Sequence, residues 1–141
     1  GCPEELDPSQ AQEAFQIARS MIERAGEHPG PHDLEEILPR LRAAAYAGLA
    51  EAQVRYGSYV VGYWATDGMF WPHDRKTAVS ALAMLRIAAL RDPKNSTDWY
   101  GGLAKDPVDR RSPPLSDIPT PWLNLALEEA RAWKRCHPDS G

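Results

Sequence analysis

Two alanine pairs, Ala44-Ala45 and Ala88-Ala89, each close a run of apolar residues at helical spacing, and this periodicity limits the fold more than any other feature. Leu34, Ile37, Leu38, Leu41, Ala44 and Ala45 recur three and four apart, as do Ala78, Ala81, Leu82, Leu85, Ala88 and Ala89. Residues so spaced share one face of an α-helix. Ala11, Ala14, Phe15, Ala18, Met21, Ile22 and Ala25 form another such face. No stretch alternates apolar and polar residues in the way a half-buried strand requires. The chain therefore reads as all-α.

Punctuation divides it into about five helices. Asp7-Pro8-Ser9 combines a capping side chain with a first-turn proline, and Gly26 ends the helix that follows. After a turn from Glu27 to Pro31, Asp33 reads as the cap of a second helix, which Gly48 closes. Pro39 inside that helix predicts a bend or a late start. A third helix is expected from Ala50 to Ala65, and a fourth from Asp74 to Leu90, stopped by Asp92-Pro93. Lys94 to Pro121 is a proline-rich loop with room for a short helical turn between Trp99 and Leu103. Pro121 opens a last helix carrying Trp122, Leu125, Ala126, Glu129, Ala130 and Trp133 and ending at Cys136. The expected organisation is a tether over 1–8, a single helical-repeat domain over 9–136 and a tail over 137–141.

Composition narrows the partners. With 43% apolar and 26% charged residues, the 141-residue chain is of globular type and long enough to bury a core. Its net charge of −4 is spread along the sequence without a basic stripe, so no nucleic-acid partner is expected. No run approaches the roughly 18 apolar residues of a membrane span, and the domain reads as soluble. The two cysteines, Cys2 and Cys136, are too far apart in sequence for a metal knuckle. Gly1-Cys2 is the dipeptide found around the cleavage point of a bacterial lipoprotein signal, where the cysteine becomes the lipidated first residue. That reading expects a periplasmic domain whose one membrane link is a lipid anchor at Cys2. A Cys2–Cys136 disulfide competes for the same sulfur, and two unrelated thiols are the third alternative.

The segment from Ala44 to Gly57, AAYAGLAEAQVRYG, resembles the signature of Sel1-like repeats. That signature sets an Ala-Ala pair before a turn glycine, then Ala, Ala-Gln, and a large residue followed by Gly on the next helix. Small residues let neighbouring helices approach, and Gly48 suits a positive φ at a helix stop. The likeness spans Leu41 to Leu90. It departs from the family at the bulky loop from Ala65 to His73 and at the proline-rich stretch, which occupies the place of a next first helix. The resemblance implies stacked helix pairs of tetratricopeptide-like kind, with a scaffolding role and no catalysis. One pair cannot bury its own face, so flanking helices must cap it. Among small secreted or lipidated Sel1-like proteins a recurring role is immunity, the binding and occlusion of a cognate toxin, as in type VI secretion. The alternative is a structural scaffold or adaptor of an envelope or secretion assembly. In either case the partner is a protein, a toxin or an assembly subunit.

Tyr56, Tyr59, Tyr63, Trp64, Phe70 and Trp71 lie on one helix and the loop after it. Aromatic residues fill repeat interiors, and they also anchor interfaces. Core is the reading for the helix, and binding for the loop tip Met69-Phe70-Trp71, which has little need of three such residues for its own sake. Tyr63 and Asp67 beside it, and Trp99 and Tyr100 in the long loop, complete the expected partner-binding set. His28, His32, His73 and His137 sit in turns with no spacing suited to a metal or a triad, and solvated turns are expected for them. The neighbouring glutamates Glu35-Glu36 and Glu128-Glu129 point apart on a helix and form no acid–base pair. Ser58 and Ser80 lack a nucleophile-elbow context. No catalytic residue, metal ligand or cofactor site is expected. Replacing Phe70 and Trp71 by alanine is predicted to weaken partner binding by several kcal/mol while leaving the domain folded, checked by calorimetry beside thermal unfolding; loss of fold would make the loop core.

Overall fold

The computed structural model describes residues 2, 5–26, 29–66, 75–91 and 119–138. Five α-helices account for all regular structure among them: α1 Pro8–Ala25, α2 Pro31–Tyr46, α3 Ala50–Thr66, α4 Arg75–Arg91 and α5 Thr120–Cys136. The chain divides into two compact units, Gly1–Tyr56 and Gly57–Gly141, with the boundary falling inside α3.

In the first unit, α1 starts where its capping signal lies. The Gln10 N–H donates to Asp7 Oδ1 at 2.8 Å, and the Asp7 N–H donates to Gln10 Oε1 at 3.0 Å. This reciprocal pair satisfies donors that a helix start otherwise leaves open. Gly26 ends the helix at φ 81°, and its N–H donates to the Ile22 carbonyl. Asp33 does not cap α2 as the sequence suggests. The helix begins earlier, at Pro31, and Asp33 stands in its first turn, with Oδ2 accepting from the Gly30 N–H at 3.0 Å. A proline at the first helical position has no N–H to leave unsatisfied, which allows that earlier start. The late start predicted from Pro39 is absent, for α2 runs unbroken through it to Tyr46.

Ala11, Phe15 and Ala18 of α1 and Leu34, Ile37, Leu41, Ala44 and Ala45 of α2 are buried, while Ala14, Met21, Ile22, Ala25 and Leu38 from the same predicted faces are half-buried. Burying a side chain the size of Phe15 or Leu41 contributes about 2 kcal/mol. At the end of α2 the Leu49 N–H donates to the Ala44 carbonyl and the Gly48 N–H to the Ala45 carbonyl, with Gly48 at φ 104°. These crossed bonds are the Schellman arrangement, and the left-handed φ is why glycine stands there. The fully buried Gln53 of α3 donates through Nε2 to the same Ala45 carbonyl at 3.2 Å, tying the turn to the helix it leads into.

In the second unit α4 is buried on almost every side. Ala78 and every residue from Ser80 to Ala89 except Arg86 are buried. The sequence periodicity assigned inward positions at Ala81, Leu82, Leu85, Ala88 and Ala89 but not at Ser80, Ala83 or Ile87. Ser80 satisfies its hydroxyl locally, donating to the Thr77 carbonyl at 2.9 Å. On α5 the buried set is Leu123, Ala126, Ala130 and Trp133. Leu125 and Glu129, which the sequence reading names on this helix, are exposed. Leu123 falls in register with Ala126, Ala130 and Trp133, whereas Leu125 is two residues away, on another side of the helix.

Gly57 of α3 meets α4 directly. A Cβ at this position would lie 2.9 Å from the Ala81 carbonyl oxygen and closer still to Leu85 Cγ. Glycine is required here by space, not by φ. In an open helical site Gly→Ala stabilises by roughly 1 kcal/mol. At Gly57 the same change forces α3 and α4 apart, and Gly57→Ala is expected to destabilise by about 1–3 kcal/mol in urea or thermal unfolding. A gain in stability would mean that the two helices separate freely.

Candidate functional site

Most of the side chains that the sequence nominates for binding, Asp67, Met69, Phe70, Trp71, Trp99 and Tyr100, lie outside the described residues. The same holds for the helical turn expected near Trp99 and for His28 and His73. Tyr63 falls on α3. Of the helix aromatics, Tyr56 is core at 1% exposure and Tyr59 is half-buried. Among the described residues no group of three or more His, Cys, Asp or Glu side chains comes together to hold a metal. No helix among them is long and apolar enough to cross a membrane.

The cysteines and two of the histidines have definite places. Cys2 and Cys136 are both disulfide-bonded. Disulfide and thioether chemistry exclude each other at one sulfur. His137 stacks on Trp133 with ring centroids 3.9 Å apart, and its Nδ1 is 2.8 Å from the Trp133 carbonyl oxygen. It is therefore packed at the end of α5, not in a solvated turn, because a stacked ring covers the tryptophan face that the helix end leaves open. His32 is exposed, as expected, but it stands in the first turn of α2 and not in the preceding turn, 3.9 Å from Glu35.

Within the second unit the surface between α4 and α5 forms a groove of about 140 Å³. Its floor is apolar: Ile87 and Leu90 from α4, Leu127 and Ala130 from α5. Leu90 stands 50% exposed there, an apolar side chain that the α4–α5 packing leaves in reach of solvent. Among the described residues four cations complete the lining, Arg86 and Arg91 from α4 and Arg131 and Lys134 from α5, with no carboxylate. Helix geometry explains the grouping. Arg86 and Leu90 are one turn apart, as are Ile87 and Arg91, Leu127 and Arg131, and Ala130 and Lys134. Each helix thus brings an alternation of apolar and cationic side chains to one seam.

Arg86 is the unusual member. It is the one residue between Ser80 and Ala89 that is not fully buried, and its Nη1 is inaccessible to solvent yet has no hydrogen-bond partner. Burial first, and the neighbouring Arg131 charge second, hold its pKa below the ordinary guanidinium value. An arginine nevertheless stays charged at neutral pH. A buried donor without an acceptor costs stability. Sequence periodicity missed the groove because cations at helical spacing look like any solvated face. The available signal was that leucine and cation alternate at one-turn spacing on both helices.

In the first unit, Met21, Arg24 and Ala25 of α1 and Asp33, Glu36 and Ile37 of α2 line a second depression. It carries charges of both signs and lacks the uniform cationic rim. No family model, curated protein or solved structure matches the chain.

Arg86→Met keeps the length of the side chain and removes the unsatisfied donor. The variant is expected to unfold within about 1 kcal/mol of the parent, or above it, in denaturant titrations. A loss of several kcal/mol would make Arg86 a structural residue.

Proposed function

We propose that this chain is a non-enzymatic protein-binding module of the Sel1-like kind, serving as an immunity protein that occludes a cognate bacterial toxin in an oxidising compartment such as the periplasm. The α4–α5 groove carries the reading. It sets an exposed leucine among four cations on a rigid helix pair. Arginine and large apolar groups are what dominate binding hot spots, and such groups gain most where their surroundings exclude water.

Three further features support it. The segment from Ala44 to Gly57 resembles Sel1-like repeats, and its small residues have the steric use that such repeats make of them: Gly57 admits Leu85 and Ala81 at contact distance. The apolar run Met69-Phe70-Trp71 offers a second anchor by its composition. Disulfide bonding of Cys2 and Cys136 agrees with an oxidising compartment, since thiols of most cytosolic proteins are kept reduced.

Co-expression with a candidate toxin, sought among the products of neighbouring genes, tests the reading. Rescue of growth together with a stable complex on gel filtration is expected. Neither rescue nor complex would overturn it.

A further inference from the structure

The α4–α5 groove also specifies what kind of segment it takes. We infer that it docks an acidic stretch of a partner protein, with one leucine- or phenylalanine-sized side chain seated on Ile87, Leu90, Leu127 and Ala130 and flanking carboxylates on Arg86 and Arg131. This rests on the protein-binding reading above and adds the chemistry of the occupant.

Size comes first. A cavity of about 150 Å³ holds a benzene ring, whereas drug-sized ligands occupy roughly 300–1,000 Å³. At about 140 Å³ the groove accepts one apolar side chain and little more. Charge comes second. Arg86 and Arg131 flank the floor, and no carboxylate is among the described lining residues, so a carboxylate beside the apolar side chain answers the charge of these two guanidinium groups. Arg86 Nη1 supplies the third constraint, being inaccessible to solvent and without an acceptor among the described residues. An incoming carboxylate oxygen provides that acceptor, and a guanidinium takes carboxylates in paired hydrogen bonds. Arg131, exposed on the next helix, lines the same groove and offers a second guanidinium to an incoming anion.

A nucleic-acid strand fits less well. Its phosphates match the cations but seat nothing on the apolar floor, and the chain as a whole carries a net charge of −4. The attraction is therefore local to the groove, and an acidic segment with a single apolar anchor satisfies both its floor and its rim.

The test uses the full oxidised chain and a short fluorescein-labelled peptide bearing one leucine flanked on both sides by glutamates, read by fluorescence anisotropy. Saturable binding that weakens with added salt is expected. Replacing the peptide leucine by alanine, or making Arg86→Met or Leu90→Gln in the chain, is expected to weaken binding about ten-fold or more. Thermal unfolding of both variants verifies that they are folded, and Leu90→Gln changes an exposed side chain that the fold does not need. No saturable binding would overturn the inference. So would equal binding by folded variants, equal binding of the leucine-free peptide, or tighter binding of a single-stranded oligonucleotide of the same charge. Toxin rescue that survives Arg86→Met would overturn the groove's role and leave the immunity reading standing. Peptide binding as expected, with no rescue by the parent chain, would do the reverse.

Discussion

The approach of α3 to α4 at Gly57 leaves no room for a methyl group, and the packing of the second unit follows from it. With the α3 backbone against the Ala81 carbonyl and the Leu85 side chain, α4 sits deep enough that nearly every residue from Ser80 to Ala89 loses contact with water. Such a helix tolerates few large side chains, which accounts for alanine at 78, 81, 83, 88 and 89. α5 then covers a further side of α4 through Leu123, Ala126, Ala130 and Trp133. Interiors this closely packed transmit small changes of volume, so the glycine is as much a core residue as the leucine it touches.

The groove is a by-product of the same geometry. Where α4 approaches its end, its buried face gives way at Arg86, Leu90 and Arg91, and α5 turns Leu127, Arg131 and Lys134 toward that seam. A guanidinium with an unsatisfied buried nitrogen is not what a fold selected for stability alone would keep at this position, because an apolar side chain of similar length fills the space without the lost hydrogen bond. Its presence beside an exposed leucine is what separates the groove from an ordinary solvated helix face. The first unit shows the contrast: its polar ends are closed by the chain itself, through Asp7 with Gln10, Asp33 with Gly30, and Gln53 with Ala45.

Local chemistry was legible wherever it acts over a few residues. The α1 cap at Asp7, the stops at Gly26 and Gly48 and the first-turn proline of α5 all appear at the expected places, since each depends on hydrogen bonds or φ values within one turn. The start of α2 was misread because Asp33 and Pro31 carry competing signals, and the proline position prevails. The exposure of Leu125 was not legible for a different reason. A helix with several apolar residues admits more than one inward stripe, and only the neighbour it packs against selects among them. His137 was assigned to solvent because nothing in its neighbours announces a ring stacked on Trp133.

Residue order alone determines that this chain is helical, where its first helix is capped and where its helices stop, and which small residues permit close approach, because propensity, capping and periodicity are properties of short segments. Tertiary structure alone decides that α4 is enclosed, that Leu123 and not Leu125 faces inward, and that four cations from two helices converge around one exposed leucine. Those facts depend on which helix faces meet. Side chains far apart in sequence, such as Arg86 and Arg131, share a site only because the helices that carry them pack together.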